Sequence, residues 1–153
     1  MALVPNTFLR KGANVSSYQY KKINAFTSRS SLGNPAACLY LDKGQTLAAE
    51  DMLAVAKEHD GFVSEVVFCT PLGDGHYNLR YYSSECEVAF CGHGTIACMY
   101  DLIANNSLLL EKQQVSITTS KGSLKVYNEI PSEGAVFITA PDKVELPVKP
   151  EID

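Results

Sequence analysis

The residues best suited to chemistry gather in one run, Cys91-Gly92-His93-Gly94-Thr95, and an apolar stretch follows it as far as Ala104. Between Thr95 and Ala104 only Thr95 and Asp101 are strongly polar, so the pattern predicts a helix inside the domain rather than on its surface. The two glycines at its mouth lack a Cβ and let the backbone approach whatever lies there. The first N–H groups of a helix have no internal partner and carry the positive end of its dipole. Such a start is a seat for a carboxylate or a phosphate. His93 could donate a hydrogen bond to a bound carboxylate or relay a proton there, or could simply cap the helix. Cys91 is a candidate general base if the helix dipole lowers its pKa, and an inert buried thiol otherwise.

Glu65 is the other group of interest. On an extended strand from Phe62 to Cys69 its side chain shares a row with Val63, Val67 and Cys69. If that row faces the core, ionisation is costly and the pKa rises toward neutrality. A carboxyl so tuned can take a proton from carbon and return it elsewhere. If instead Ser64, Val66 and Phe68 form the core row, Glu65 stands in water. Glu87 and the Asn34-Pro35 pair read, on their own, as turn chemistry.

These groups need a scaffold, and the 153 residues suffice for one domain with a real core. Strands are expected at 18–26 and 36–41. A helix over 47–58 is opened by Gly44 and Thr46 and closed by Gly61. The strand 62–69 turns at 71–75 into a returning strand, 76–82. After the central helix, Asn105-Asn106 stops the chain, and strands at 114–119, 123–130 and 135–139 follow. About seven strands and two helices make an α+β fold with a mixed, mostly antiparallel sheet. Residues 1–17 are expected to be a flexible N-terminal extension, and 146–153, with Pro147 and Pro150, a tail or linker.

Composition narrows the function. A net charge of −4 argues against a general nucleic-acid or anionic-membrane partner. No apolar run approaches the ~20 residues of a membrane span, and no secretory signal is expected at the N-terminus. Cys38, Cys69, Cys86, Cys91 and Cys98 form no C-x-x-C pair, and His59, His76 and His93 are scattered. Reduced thiols in a cytoplasmic protein are therefore expected, with no disulfide framework and no metal site.

Five stretches fall in an order that resembles the phenazine-biosynthesis-like (PhzF-like) isomerase family, a branch of the diaminopimelate-epimerase-like fold. They are Asn24-Ala25-Phe26-Thr27; Gly33-Asn34-Pro35-Ala36-Ala37; Ala56-Lys57-Glu58 with Ser64-Glu65; Leu79-Arg80-Tyr81-Tyr82; and Glu87 with the run from Phe90 to Ala97. The resemblance spans about residues 20–145. It implies two lobes, each a curved sheet around a buried central helix, with the site in the cleft between the helix mouths. It also implies cofactor-independent isomerisation, epimerisation or racemisation of a small carboxylic acid. By the same match Glu65 is the acid/base and His93 the second catalytic residue. Gly92, Gly94 and Thr95 receive the substrate carboxylate, and Asn34 lines the cleft. The Cys-Gly-His-Gly string is also similar to the proline-racemase branch, in which Cys91 would be a catalytic thiol. Family members run to roughly twice this length, so residues 18–145 match a first lobe only. The expectation is a site completed by a second lobe or by a homodimer, or else a non-catalytic lobe that binds a partner protein.

Overall fold

The computed structural model describes residues 2–11, 14–25 and 34–139, with side chains from Ala36 onward. Among these, one sheet holds β1 (Ala2–Lys11), β2 (Asn14–Ala25), β3 (Asn34–Tyr40), β4 (Glu65–Gly73), β5 (His76–Tyr82), β6 (Glu87–Val88), β7 (Gln114–Thr119), β8 (Gly122–Glu129) and β9 (Ala135–Ile138). The order is β1-β2-β3-β4-β5-β7-β8-β9, with the short β6 attached to β5. Neighbours are antiparallel except β3/β4 and β5/β7. A parallel pair needs a crossover. Helix α1 (Ala49–Glu58) supplies the first, and α2 (Gly92–Ala104) with the single turn α3 (Ser107–Leu110) supplies the second. A further turn, α4 (Ile130–Glu133), joins β8 to β9. The sheet is mixed and mostly antiparallel, as the sequence leads one to expect.

Strands β3 to β5 have helices on both faces, which is why β3 and β4 read as continuous apolar runs rather than alternating ones. Cys38, Val67, Cys69, Leu79 and Tyr81 pack with Ala97, Cys98 and Ile103 of α2, in a core that continues through Val115, Ile117, Leu124, Val126 and Val136. The alternate residues Ala37, Leu39, Val66, Phe68 and Tyr82 pack with Met52, Val55 and Ala56 of α1. The sheet thus curls about α2, and α1 lies outside it. Buried Asp101, on α2, accepts from Tyr40 Oη at 2.8 Å and Asn105 Nδ2 at 3.1 Å, so its carboxyl group is hydrogen-bonded inside the core.

Several boundaries differ from expectation. A paired strand, β1, occupies Ala2–Lys11 where a loose lead-in is expected, because backbone pairing asks nothing of the side-chain pattern. Strand β4 starts at Glu65 rather than Phe62. Phe62 is 67% exposed in the turn after α1, and Val63 packs on the α1 side instead of sharing the row of Glu65. The elements β6, α3 and α4 are too short for a periodic signal. The expected tail over 146–153 lies outside the described residues.

The N-terminal end of α2 meets β4 at van der Waals limits. A Cβ on Gly94 would lie 2.9 Å from Val67 Cγ2 and 3.2 Å from Cys91 Sγ. Overpacking of this kind costs about 1–3 kcal/mol, which outweighs the gain of up to about 1 kcal/mol that alanine brings to a helix. Gly94→Ala should therefore lower the urea midpoint. The double variant with Val67→Ala should lose less than the sum of the two single changes; strict additivity would show that the contact is not what sets the spacing.

Candidate active site

Two chain segments bring the candidate residues together. Ser64 and Glu65 stand where β4 begins, with Glu65 paired to Ala36 of β3. The second segment leaves β5 through a tight turn and is pinned at β6, where Glu87 takes Arg80 in a two-pronged ion pair of 2.6 and 2.7 Å. Ser120 Oγ then donates to the carbonyl of Ala89 at 3.2 Å, and the ring of Phe90 meets Tyr81 edge-on. Cys91 follows as the N-cap of α2, in extended conformation, its Sγ accepting from the Gly94 N–H at 3.3 Å. Thr95 Oγ1 donates to the Cys91 carbonyl at 2.8 Å and accepts from the Tyr81 hydroxyl at 2.6 Å. The mouth of the helix is fixed from below by these buried bonds.

Glu65, Cys91 and His93 converge at that mouth. His93 Nε2 lies 3.1 Å from Glu65 Oε1 and 3.2 Å from Ser64 Oγ. The Cys91 thiol reaches Glu65 Oε1 at 3.5 Å, and Nδ1 of His93 lies 3.4 Å from its sulfur. The Glu65 and His93 side chains are about one-fifth exposed, whereas Cys91 is 7% exposed. The site is thus sheltered on the protein side and open on the other.

The electrostatics overturn one expectation and decide between two alternatives. Glu65 does lie in the row facing α2, but its pKa is lowered rather than raised. The hydrogen bond from His93 is the largest cause, helped by those from Ser64 and Cys91, and together they outweigh the opposing effect of burial. An ionised carboxylate only accepts, so Nε2 of His93 carries the hydrogen. Cys91 shifts the other way. Burial pushes its thiol up to about 12, and the neighbouring Glu65 charge adds to this, despite the amides of Gly94 and His93 at the helix end. The dipole that would favour a thiolate loses to desolvation and like charge, so Cys91 rests protonated and is not a ready base.

The anion seat is also narrower than expected. The Gly94 amide is engaged by the Cys91 sulfur, and the Thr95 amide by the Cys91 carbonyl at 3.0 Å. Thr95 is fully buried. Of the residues from Cys91 to Thr95, only Gly92 is exposed. Asn34 heads β3, two residues before the partner of Glu65, but its side chain lies outside the described residues. Sequence reading gave Ser64 no role, although it immediately precedes the acid at the strand mouth. It read Glu87 as turn chemistry, although an Arg80–Glu87 pair across a short turn was visible. The expectation of no metal-ligand cluster also fails as geometry: the ligand atoms of Glu65, Cys91 and His93 all lie within 4.8 Å of one another.

Known proteins share this arrangement of sequence and fold. The model of a family described as phenazine biosynthesis-like protein matches residues 23–147. An uncharacterized isomerase of Pseudomonas aeruginosa is 37% identical over 84 residues, covering 55% of this chain and 30% of the relative. A crystal structure of a PhzF-family phenazine biosynthesis protein from Enterococcus faecalis superposes with a TM-score of 0.63 at 30% identity, covering 73% of this chain and 40% of that one. A predicted epimerase from Pseudomonas aeruginosa, at 21% identity and a TM-score of 0.55, shares the fold. The chain spans roughly a third of the length of the curated relatives it matches. No helix among the described residues is long and apolar enough to cross a membrane.

Two measurements check the electrostatics. The folded carboxyl of Glu65 titrates below its ordinary 4.5, so the folded state holds the proton less tightly than the unfolded one. Its contribution is complete above the ordinary range and is lost as pH falls through the lowered value. Glu65→Gln should cost about 1–2 kcal/mol at neutral pH, with the deficit shrinking as acid is added; a neutral or stabilising effect would contradict an ionised carboxylate held by hydrogen bonds. Alkylation by iodoacetamide at mildly alkaline pH, mapped by mass spectrometry, should label exposed Cys86 and spare Cys91. Glu65→Gln should accelerate labelling of Cys91 several-fold by removing the charge that holds its proton on. Labelling of Cys91 as fast as Cys86 in the parent would contradict a resting thiol.

Proposed function

This chain belongs to the phenazine biosynthesis-like protein family, and from that premise we propose that it carries one wall of an isomerase site that moves a proton on a small carboxylic acid without a cofactor. The observation that carries the reading is the contact of 3.1 Å between Glu65 Oε1 and His93 Nε2 at the mouth of α2. Glu65 waits ionised, able to accept a proton. The His93 hydrogen bond that holds it so is also the one a substrate carboxylate would compete for. When Nε2–H turns to the substrate, the largest cause of the low pKa is removed and the carboxylate becomes a stronger base.

The C–H bond next to the substrate carboxylate then breaks, with its proton going to Glu65 and its electron pair into the conjugated acid. His93 N–H and the start of α2 at Gly92 stabilise the charge that develops. Glu65 returns the proton to another carbon on the same face, so nothing is oxidised or reduced. A change of configuration instead needs a second acid on the opposite face. That wall comes from a second lobe or from a second copy of this chain in a homodimer. Cys91 helps to hold Glu65 in place and is not the base. With all five cysteines unpaired, the protein suits the reducing cytoplasm.

Proton NMR in D2O over a panel of small carboxylic acids, with sedimentation to record the oligomeric state, tests the reading. Exchange of a carbon-bound proton in at least one acid is expected, reduced at least about 100-fold by Glu65→Gln. Exchange that survives Glu65→Gln but not Cys91→Ser would assign the chemistry to the thiol. No exchange with any acid, in a stably folded protein, would favour a binding lobe without catalysis.

A further inference from the structure

The same three side chains have the shape of a cation site. We propose that Glu65, Cys91 and His93 bind a thiophilic divalent cation, Zn2+ above all, and that the cation and the substrate compete for Glu65. The binding claim stands on geometry alone, whereas the competition rests on the proton-transfer reading. The triangle of possible ligand atoms measures 3.1 Å from Glu65 Oε1 to His93 Nε2, 3.5 Å from that oxygen to Cys91 Sγ, and 3.9 Å from the sulfur back to Nε2. Zinc bonds of about 2.0 Å to nitrogen and oxygen and about 2.3 Å to sulfur, at tetrahedral angles, place such atoms roughly 3.3–3.6 Å apart. The observed triangle is already one face of that tetrahedron to within a few tenths of an ångström. The donor set of thiol, imidazole and carboxylate is the one zinc favours, and it disfavours magnesium or calcium, which seek oxygen alone.

The surroundings fit as well. A zinc-bound thiolate gains from an N–H aimed at its sulfur, and Gly94 supplies one at 3.3 Å. Glutamate and thiolate bring two negative charges to balance the ion. Binding replaces the sulfur–hydrogen bond with a sulfur–zinc bond and releases that proton to solvent; the neutral imidazole moves its hydrogen from Nε2 to Nδ1, 3.4 Å from the sulfur, so that Nε2 can ligate, and no oxidation state changes. Glu65 and His93 keep about one-fifth of their side chains exposed, which leaves the fourth position to water or an added carboxylate. The other group of thiols, Cys38, Cys69 and Cys98, is sealed in the core at 1% exposure or less, with no open side for a cation to enter.

Cobalt(II) added to the reduced, metal-free chain is the probe, with zinc then titrated against a chromophoric chelator. The expected result is one equivalent of cobalt with the intense visible bands of a tetrahedral ion and a thiolate-to-cobalt charge-transfer band, displaced by zinc. Cys91→Ser should abolish the charge-transfer band, and Glu65→Gln and His93→Gln should each weaken zinc by more than the roughly 10–100-fold typical of losing an outer partner. Cys86→Ser should change nothing. Should Cys91→Ser fail to fold, the release of one proton per zinc from the parent chain, read with a pH indicator at mildly alkaline pH, replaces it. Octahedral cobalt without a thiolate band, a band that survives Cys91→Ser, or zinc binding without proton release would overturn the proposal. Zinc binding without loss of proton exchange would retain the site but overturn the competition, whatever the fate of the proton-transfer reading itself.

Discussion

Helix α2 starts against β4 with no space for a methyl group between Gly94 and Val67. That contact sets the height at which the helix mouth meets the beginning of the strand. Cys91 caps the helix one turn earlier, so its sulfur comes to the carboxylate at the start of β4, and the His93 ring closes over both. Had the helix been held off by the width of a side chain, these would be separate polar groups at the rim of a sheet. Close packing gives each of them a partner that changes its chemistry.

The partners act in opposite directions on two acids in contact. Glu65 receives hydrogen bonds and is held ionised, while Cys91 is buried beside that charge and keeps its proton. Separation of two titratable groups by their surroundings allows neighbouring residues to play different parts. The buried bonds from Tyr81 to Thr95 and from Thr95 to the Cys91 carbonyl touch neither acid, yet they hold the backbone that carries both Cys91 and His93. The Arg80–Glu87 pair does the same from the exposed side.

Much of this was legible in the sequence. The alternation and turn residues from Gln114 to Thr139 place β7, β8 and β9 within a residue or two, because each strand has one buried row and a short turn at its end. That Glu65 shares a row with Val67 and Cys69 was also legible, since side chains alternate along a strand, but the place of Val63 and the face on which the row lies were not. The direction of its pKa shift was not. It depends on His93, which is distant in the chain and arrives only when α2 docks. Reading an acid in an apolar row captures the desolvation and misses the hydrogen bonds that exceed it. The amides of Gly94 and Thr95 were misjudged for a related reason: a helix start offers donors in principle, but Cys91 occupies both with its own sulfur and carbonyl.

Burial of both faces of β4 has a consequence for how the chain finds its alignment. In a strand with one wet face, the polar row penalises a slip of one residue; here Val66 and Phe68 point one way and Val67 and Cys69 the other, so either set could serve either helix. The apolar pattern by itself leaves the strand nearly indifferent to which way up it lies. Glu65 breaks that tie: it finds a hydrogen-bonding imidazole on the α2 side, and a slip would turn it to the face covered by α1. The proposed proton acceptor is thereby also the key that locks its own strand in place.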